Sequence, residues 1–208
     1  FARSLSNLAS IAKAEGRYEE SLERYREAAA LFERLGDRLA WAWVQNNQGD
    51  VAHTQGHLDE ATLAYERGLE VFRELGDRWG VASSLADLGK TCRLQGDLEA
   101  AVELLRESLR LFAELDHKRG VVRLLEALAS IAAETDRSER ALILAGAAAS
   151  VRERMGLQAS HPEEQEKRAD GLQRAYKRLG SATAERLWDE GASLQLQEAI
   201  RRGLDEVA

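Results

Sequence analysis

Turn signals return along this chain every forty residues. Gly16-Arg17, Gly56-His57 and Gly96-Asp97 stand at that spacing. So do Gly36-Asp37-Arg38 and Gly76-Asp77-Arg78, with Asp116-His117-Lys118 as a third copy that lacks the glycine. The apolar residues between them keep the same register: Leu31, Val71 and Leu111, then Phe32, Phe72 and Phe112, then Leu35, Leu75 and Leu115. A fourth, degraded copy carries Thr135-Asp136-Arg137 at its internal turn. A period of this length means stacked supersecondary units, each burying an apolar face against its neighbour.

Each period holds two helices. Leu98, Ala101, Val102, Leu105, Leu109 and Phe112 recur at steps of three and four, the spacing of one buried helix face. In the second copy the helices are expected at about Arg38–Gln55 and Leu58–Leu75. Glycine closes a helix because it takes the left-handed conformation without a Cβ penalty, and Asp37, Asp77 and Asp97 are placed to cap the helix that follows.

Composition agrees and removes other classes. The 208 residues include one proline and sixteen glycines, with 6% aromatic and 31% charged residues, a helical profile rather than a sandwich, a barrel or a disordered tail. One cysteine excludes an internal disulfide and a multi-cysteine zinc site. Apolar runs are too short to span a bilayer and no signal-peptide pattern opens the chain. Net charge is −7 with no strongly basic segment, so nucleic acid and membrane are not expected partners. The expected location is cytoplasmic. The chain opens inside a helical pattern at Phe1, so it is expected to be a piece of a longer protein.

Small residues define the kind of helix pair. Ala9, Gly49, Gly89 and Ala129 share one position, Ser21, Ala61, Ala101 and Ala141 a second, Ala28, Gly68, Ser108 and Ala148 a third. Small side chains there let antiparallel helices approach closely. With Leu85-x-x-Leu88-Gly89-x-x-Cys92 and Ala61-x-x-x-Tyr65, the pattern resembles the tetratricopeptide repeat. It departs from that repeat in a period of forty instead of about thirty-four, and in Gly-Asp-Arg where the closing proline stands, which points to a longer-helix variety. HEAT repeats share the period without the small-residue set. The fold expected is all-α, a right-handed solenoid of four helical pairs (1–36, 37–76, 77–116 and 117–154) with a three-helix C-terminal cap over 155–208.

In the cap, Ser160-His161-Pro162-Glu163-Glu164 reads as a helix start, with the helix running to about Leu179. Gly180-Ser181 then breaks it, Ser181 caps a short helix to Glu190, and Gly191-Ala192-Ser193 breaks again before a last helix from Leu194. Leu187, Trp188 and Ile200 are expected to cover the apolar end of the last pair. The strings Ala141-x-x-Leu144-Ala145-Gly146-Ala147-Ala148, Arg152-Glu153, Pro162-Glu163, Leu187-Trp188-Asp189-Glu190-Gly191 and Leu196-x-Glu198-Ala199-Ile200 resemble the C-terminal end of bacterial MalT-like and LuxR-type signal-transduction (STAND) ATPases. That resemblance implies a C-terminal sensor and scaffold part of such a regulator.

No catalytic constellation, cofactor loop or metal site is expected. No Gly-x-x-x-x-Gly-Lys-Ser/Thr loop is present. His53 and His57 are four apart, but Gly56 ends the helix between them, so two polar surface histidines are the reading. Cys92 stands where the other copies have Ala12, Ala52 and Ala132 and reads as a small core residue.

The tetratricopeptide resemblance implies that the first helix of each pair lines a concave groove. The repeat frame places Arg3, Ser6, Asn7, Ser10 and Lys13 there, then Trp43, Asn46, Asn47, Asp50 and His53, then Ser83, Ala86, Asp87, Lys90 and Arg93, then Arg123, Glu126, Ser130 and Glu134. Of these, Asn7, Lys13, Trp43, Asn46, Asn47, Asp50, Lys90, Arg93, Arg123 and Glu126 are the candidate peptide-binding residues. Asn7 and Asn47 match the position at which the family holds a ligand's backbone, and an amide both donates and accepts. Lys90, Arg93 and Arg123 suit an acidic group. The function expected is a non-enzymatic protein- or peptide-binding scaffold, with upstream domains of the same chain and a weak homodimer through residues 1–35 as further partners. The alternatives are an oligomerising spacer and the regulatory part of an ATPase acting on an upstream catalytic domain.

Overall fold

The structure, a computed structural model, describes residues 1–157 and 162–205, and of 162–168 the backbone alone. Among the described residues there are eleven α-helices and no strand. Two compact units divide the chain, Phe1–Leu104 and Leu105–Ala208.

The first unit contains α1 (Ala2–Ala14), α2 (Tyr18–Leu35), α3 (Arg38–Thr54), α4 (Leu58–Leu75), α5 (Arg78–Gln95) and the start of α6 (Leu98–Glu114). The turns explain these limits. Gly36 and Gly76, both at φ +69°, end α2 and α4. In each turn the glycine N–H and the next N–H return to the last helical turn: Gly36 to Glu33 and Asp37 to Phe32, Gly76 to Arg73 and Asp77 to Phe72. This Schellman-type closure satisfies carbonyls that the helix end leaves open. The aspartate that follows starts the next helix. Asp37 accepts from the Ala40 N–H, Asp77 from those of Trp79 and Gly80, and Asp97 from that of Ala100.

Consecutive helices pack as pairs, α1 on α2 and α3 on α4, and α3 also packs on α1 and α5. Turns this short make neighbours antiparallel. The core around α1–α3 gathers Ala9, Tyr25, Ala28, Phe32, Val44 and Val51. The small positions are close contacts. A Cβ at Gly49 would stand 2.7 Å from a Tyr65 ring carbon. Ser21, fully buried, donates its hydroxyl to the Ala9 carbonyl across the α1–α2 contact at 2.8 Å.

The second unit holds the rest of α6, then α7 (Lys118–Glu134), α8 (Ser138–Arg154), α9 (Pro162–Leu179), α10 (Ser181–Ser193) and α11 (Leu196–Leu204). Asp116 and Asp136 take the left-handed conformation (φ 50° and 60°) that glycine takes elsewhere. Aspartate is among the few L-residues that tolerate it. His117 caps α7 by accepting the Gly120 N–H on Nδ1, a role the sequence reading had not given it.

α8 packs on α7, α9, α10 and α11. Leu142, Ala175, Ala184 and Leu187 form a buried cluster with Trp188 half-buried on it, and Ile200 is half-buried on α11. Three cap expectations need correction. Gly191-Ala192-Ser193 does not break the chain: α10 continues to Ser193, and α11 begins at Leu196 rather than Leu194. Ser181 lies inside α10, whose first turn has no side-chain cap. Gly191 is a contact residue, because a Cβ there would run into the Ile143 carbonyl oxygen, as one at Gly146 would run into that of Trp188. Ser160 and His161 lie outside the described residues.

These contacts set the first test. Gly49→Ala and Gly191→Ala should each destabilise the fold by about 1–3 kcal/mol, the scale of overpacking, in denaturant melts of the full chain. Unchanged midpoints would mean that the helices have room to spare.

Candidate binding surface

α1, α3 and α5 each present one polar turn in the first unit. Repeat-equivalent residues there are Asn7, Asn47 and Asp87, then Ser10, Asp50 and Lys90, then Lys13, His53 and Arg93. Hydrogen bonds join the helices. Lys13 Nζ donates to Asp50 Oδ2 at 2.7 Å from α1 to α3. The Ser84 hydroxyl donates to Asn46 Oδ1 at 3.0 Å from α5 to α3. Lys90 pairs with Asp87 one turn back at 2.8 Å.

Tyrosines from the second helices reach the same stripe. The Tyr65 hydroxyl donates to Asp50 Oδ1 at 2.9 Å, and the hydroxyls of Tyr25 and Ser10 share a hydrogen bond of 2.8 Å. Asp50 thereby takes a phenol on one oxygen and an ammonium on the other. Both rings are almost fully buried. Burial, then the charges of Asp50 and Asp87, pushes the Tyr65 phenol far above its ordinary value; burial also raises that of Tyr25. Both phenols remain neutral across the physiological range, and that of Tyr65 remains a donor to Asp50. The sequence signal for this pair was the Ala61-x-x-x-Tyr65 motif, repeated as Ser21-x-x-x-Tyr25, read as family signature but not as a support for the stripe.

The candidate residues fall into distinct surroundings. Asn7 is exposed and Asn47 half-buried, and neither amide has a hydrogen-bond partner among the described residues. Asn46 is only 4% exposed; its side chain fills the space above Gly68. It is a contact between helices rather than a groove residue. Trp43 packs on Phe72 and Trp79, with ring centroids 4.6 and 5.0 Å away. Arg93 is half-buried near the end of α5. Arg123 and Glu126 belong to the second unit, where Arg123 is exposed on α7 and Glu126 is 3% exposed and ion-paired with Arg152 of α8. Glu126 is therefore closed to a ligand, for the reason that applies to Asn46: this helix position faces the neighbouring helix.

Cys92 is half-buried, more open than its buried counterparts Ala12, Ala52 and Ala132. Burial and then the Asp97 charge raise its thiol, which keeps it protonated and unreactive.

The tetratricopeptide repeat family model matches residues 1–74 and 64–114. The chain belongs to the tetratricopeptide repeat family. No curated protein matches it. Among solved structures, BtubC (BKLC) from P. vanneervenii superposes with a TM-score of 0.73 over 96% of this chain and 80% of its own, at 22% identity. A Podosopora anserina protein of nearly identical TPR-like repeats gives 0.66 over 94% of each chain, at 18% identity. Such identities speak for the fold. Tetratricopeptide folds are, as a class, protein-interaction scaffolds. Among the described residues no helix is long and apolar enough to cross a membrane.

The buried phenol makes a pH prediction. Its pKa is raised in the folded chain, so the unfolded chain releases the proton first, from about pH 10 upward. Stability contributed by Tyr65 is complete below that pH and is lost as pH rises beyond it. Tyr65→Phe should cost about 1 kcal/mol at neutral pH, the scale of one hydrogen bond, and should flatten the loss of stability above pH about 10. Parallel stability profiles for the two proteins in that range would contradict this environment.

Proposed function

We propose that this chain is a peptide- or protein-binding scaffold that holds an extended segment or a partner helix along the polar stripe of α1, α3 and α5. One observation carries the reading. Asn7 and Asn47, at equivalent places in successive repeats, keep unengaged amides while Ser10, Lys13, Asn46 and Asp50 beside them are all hydrogen-bonded. Rigid neighbours around open amides are a preorganised arrangement for main-chain N–H and C=O groups. Lys90 and Arg93 provide the place for an acidic group of the ligand, with Lys90 exchanging Asp87 for it. The mixed charge of the stripe favours register and orientation over raw attraction.

The wider setting in this proposal is a bacterial cytoplasmic regulator of the MalT-like or LuxR-type class, with four repeat pairs to residue 154, a helical cap beyond, and ATPase and transcription-regulating modules elsewhere in the full protein. The string from Ala141 to Ile200 supports it. Its Gly146 and Gly191 are the contact glycines between α8 and α10, so the string encodes a way of packing the cap. No catalytic role is assigned to these residues. Self-association is a second reading, favoured by Leu8 and Ile11, which stand 45% and 52% exposed on α1. A mass independent of concentration in sedimentation would remove it.

Peptides selected on the purified chain from a random display library test the groove. Asn47→Ala should weaken the selected peptides by about 1–3 kcal/mol, the range for lost and unsatisfied hydrogen bonds, with the melting temperature nearly unchanged. Affinities that ignore both Asn47→Ala and Arg93→Ala would place binding on another face.

A further inference from the structure

The second unit contains a cavity of about 600 Å³ between the start of α8, the end of α9 and the end of α11. Four guanidinium groups line it: Arg137, Arg140, Arg178 and Arg202. Its apolar wall is Ile143, Leu144 and Leu179. This volume lies within the range of small-molecule sites, which combine an apolar lining with a few convergent polar groups.

Their partners differ. Arg178 is paired with Asp136, and Arg202 lies 3.4 Å from Glu190 and 3.5 Å from Glu198. Arg140 has no carboxylate within ion-pair distance among the described residues. It donates instead to the carbonyl oxygens of Gly203 (3.1 Å) and Asp205 (3.3 Å), at the end of α11. Arg106 donates to that same Asp205 carbonyl. The Arg137 guanidinium has neither a hydrogen-bond nor an ion-pair partner among the described residues; the residue is held by its backbone alone, its N–H donating to the Ala132 carbonyl. Burial first, and then the like charges of Arg106, Arg137 and Arg202 against the single opposing charge of Asp205, lower the Arg140 pKa. Glu139 and Asp136 are the other acids on the lining, and Asp136 is already held by Arg178. Arg140, half-buried, and Arg137, exposed at the rim, stand side by side without a carboxylate of their own and leave a positive field at the mouth of a partly apolar hollow, where an anion gains more than in open water.

We propose that this cavity binds a small organic anion, a carboxylate or phosphate group carried on an apolar body. The anionic group sits between Arg137 and Arg140, which can approach two of its oxygens together, and the body lies on Ile143 and Leu179. The walls come from α8, α9 and α11, so an occupant ties the cap helices together. Occupancy stabilises the unit by mass action. This goes beyond the peptide reading and stands without it.

Phenyl phosphate, phenylacetate, inorganic phosphate and benzyl alcohol, titrated calorimetrically into the full chain, test it. One or both aromatic anions should saturate a single site and raise the melting temperature, and the stronger of the two identifies the headgroup. Benzyl alcohol should not bind. Inorganic phosphate should bind more weakly than phenyl phosphate, which reports on the apolar wall. Arg137→Gln removes a charge that holds nothing in the fold, and should weaken binding by about tenfold or more at an unchanged melting temperature. Arg140→Lys keeps the charge and should retain part of the affinity, whereas Arg140→Gln should lose it. If Arg140→Gln does not fold, Arg137→Gln decides. No saturable binding by either aromatic anion, or binding that Arg137→Gln leaves intact, overturns the proposal.

Discussion

Close approach of helix backbones at small residues is the constraint on which everything else depends. Gly49 lets the Tyr65 ring lie against α3. Only from there does the phenol reach Asp50, and Asp50 in turn fixes Lys13 of the preceding repeat. Gly68 does the same for Asn46, which ties α3 to α5 through Ser84. In the second unit, Gly146 of α8 admits the Trp188 carbonyl of α10, and Gly191 of α10 admits the Ile143 carbonyl of α8. One missing Cβ thus decides where a polar side chain stands, and the polar side chains decide what the surface offers.

A division of labour follows among residues that look alike in sequence. Asn46 and Asn47 are neighbours with the same chemistry. A helix turns by about 100° per residue, so one points into a helix contact and the other toward solvent. The buried amide is satisfied by a hydroxyl, as a buried polar group must be. Its neighbour is left with open bonding capacity.

Most of the architecture was legible because it rests on local chemistry repeated at a fixed interval. The turns after Leu35 and Leu75 were readable from Gly-Asp-Arg. The turns at Asp116 and Asp136 were readable only by their register, since aspartate replaces glycine in the same backbone conformation. Gly191 misled, because a lone glycine signals a helix end or a close contact equally well, and what decides between them is the Ile143 carbonyl, almost fifty residues away in the chain. Glu126 was beyond reach for a similar reason. A carboxylate on a polar stripe looks solvated until Arg152 of the next helix is seen to cover it. The arginine-lined cavity left no sequence trace, because its four guanidinium groups come from α8 and the residue before it, from α9 and from α11.

Backbone amide and side-chain amide NMR spectra of the chain with a selected peptide test the central claim most directly. The account predicts that the side-chain amide signals of Asn7 and Asn47 shift on binding while that of Asn46 does not. It also predicts slower hydrogen exchange at the two shifted amides. Shifts centred instead on the exposed Leu35, Leu75 and Trp79 at the turns, with the asparagine signals unmoved, would contradict it.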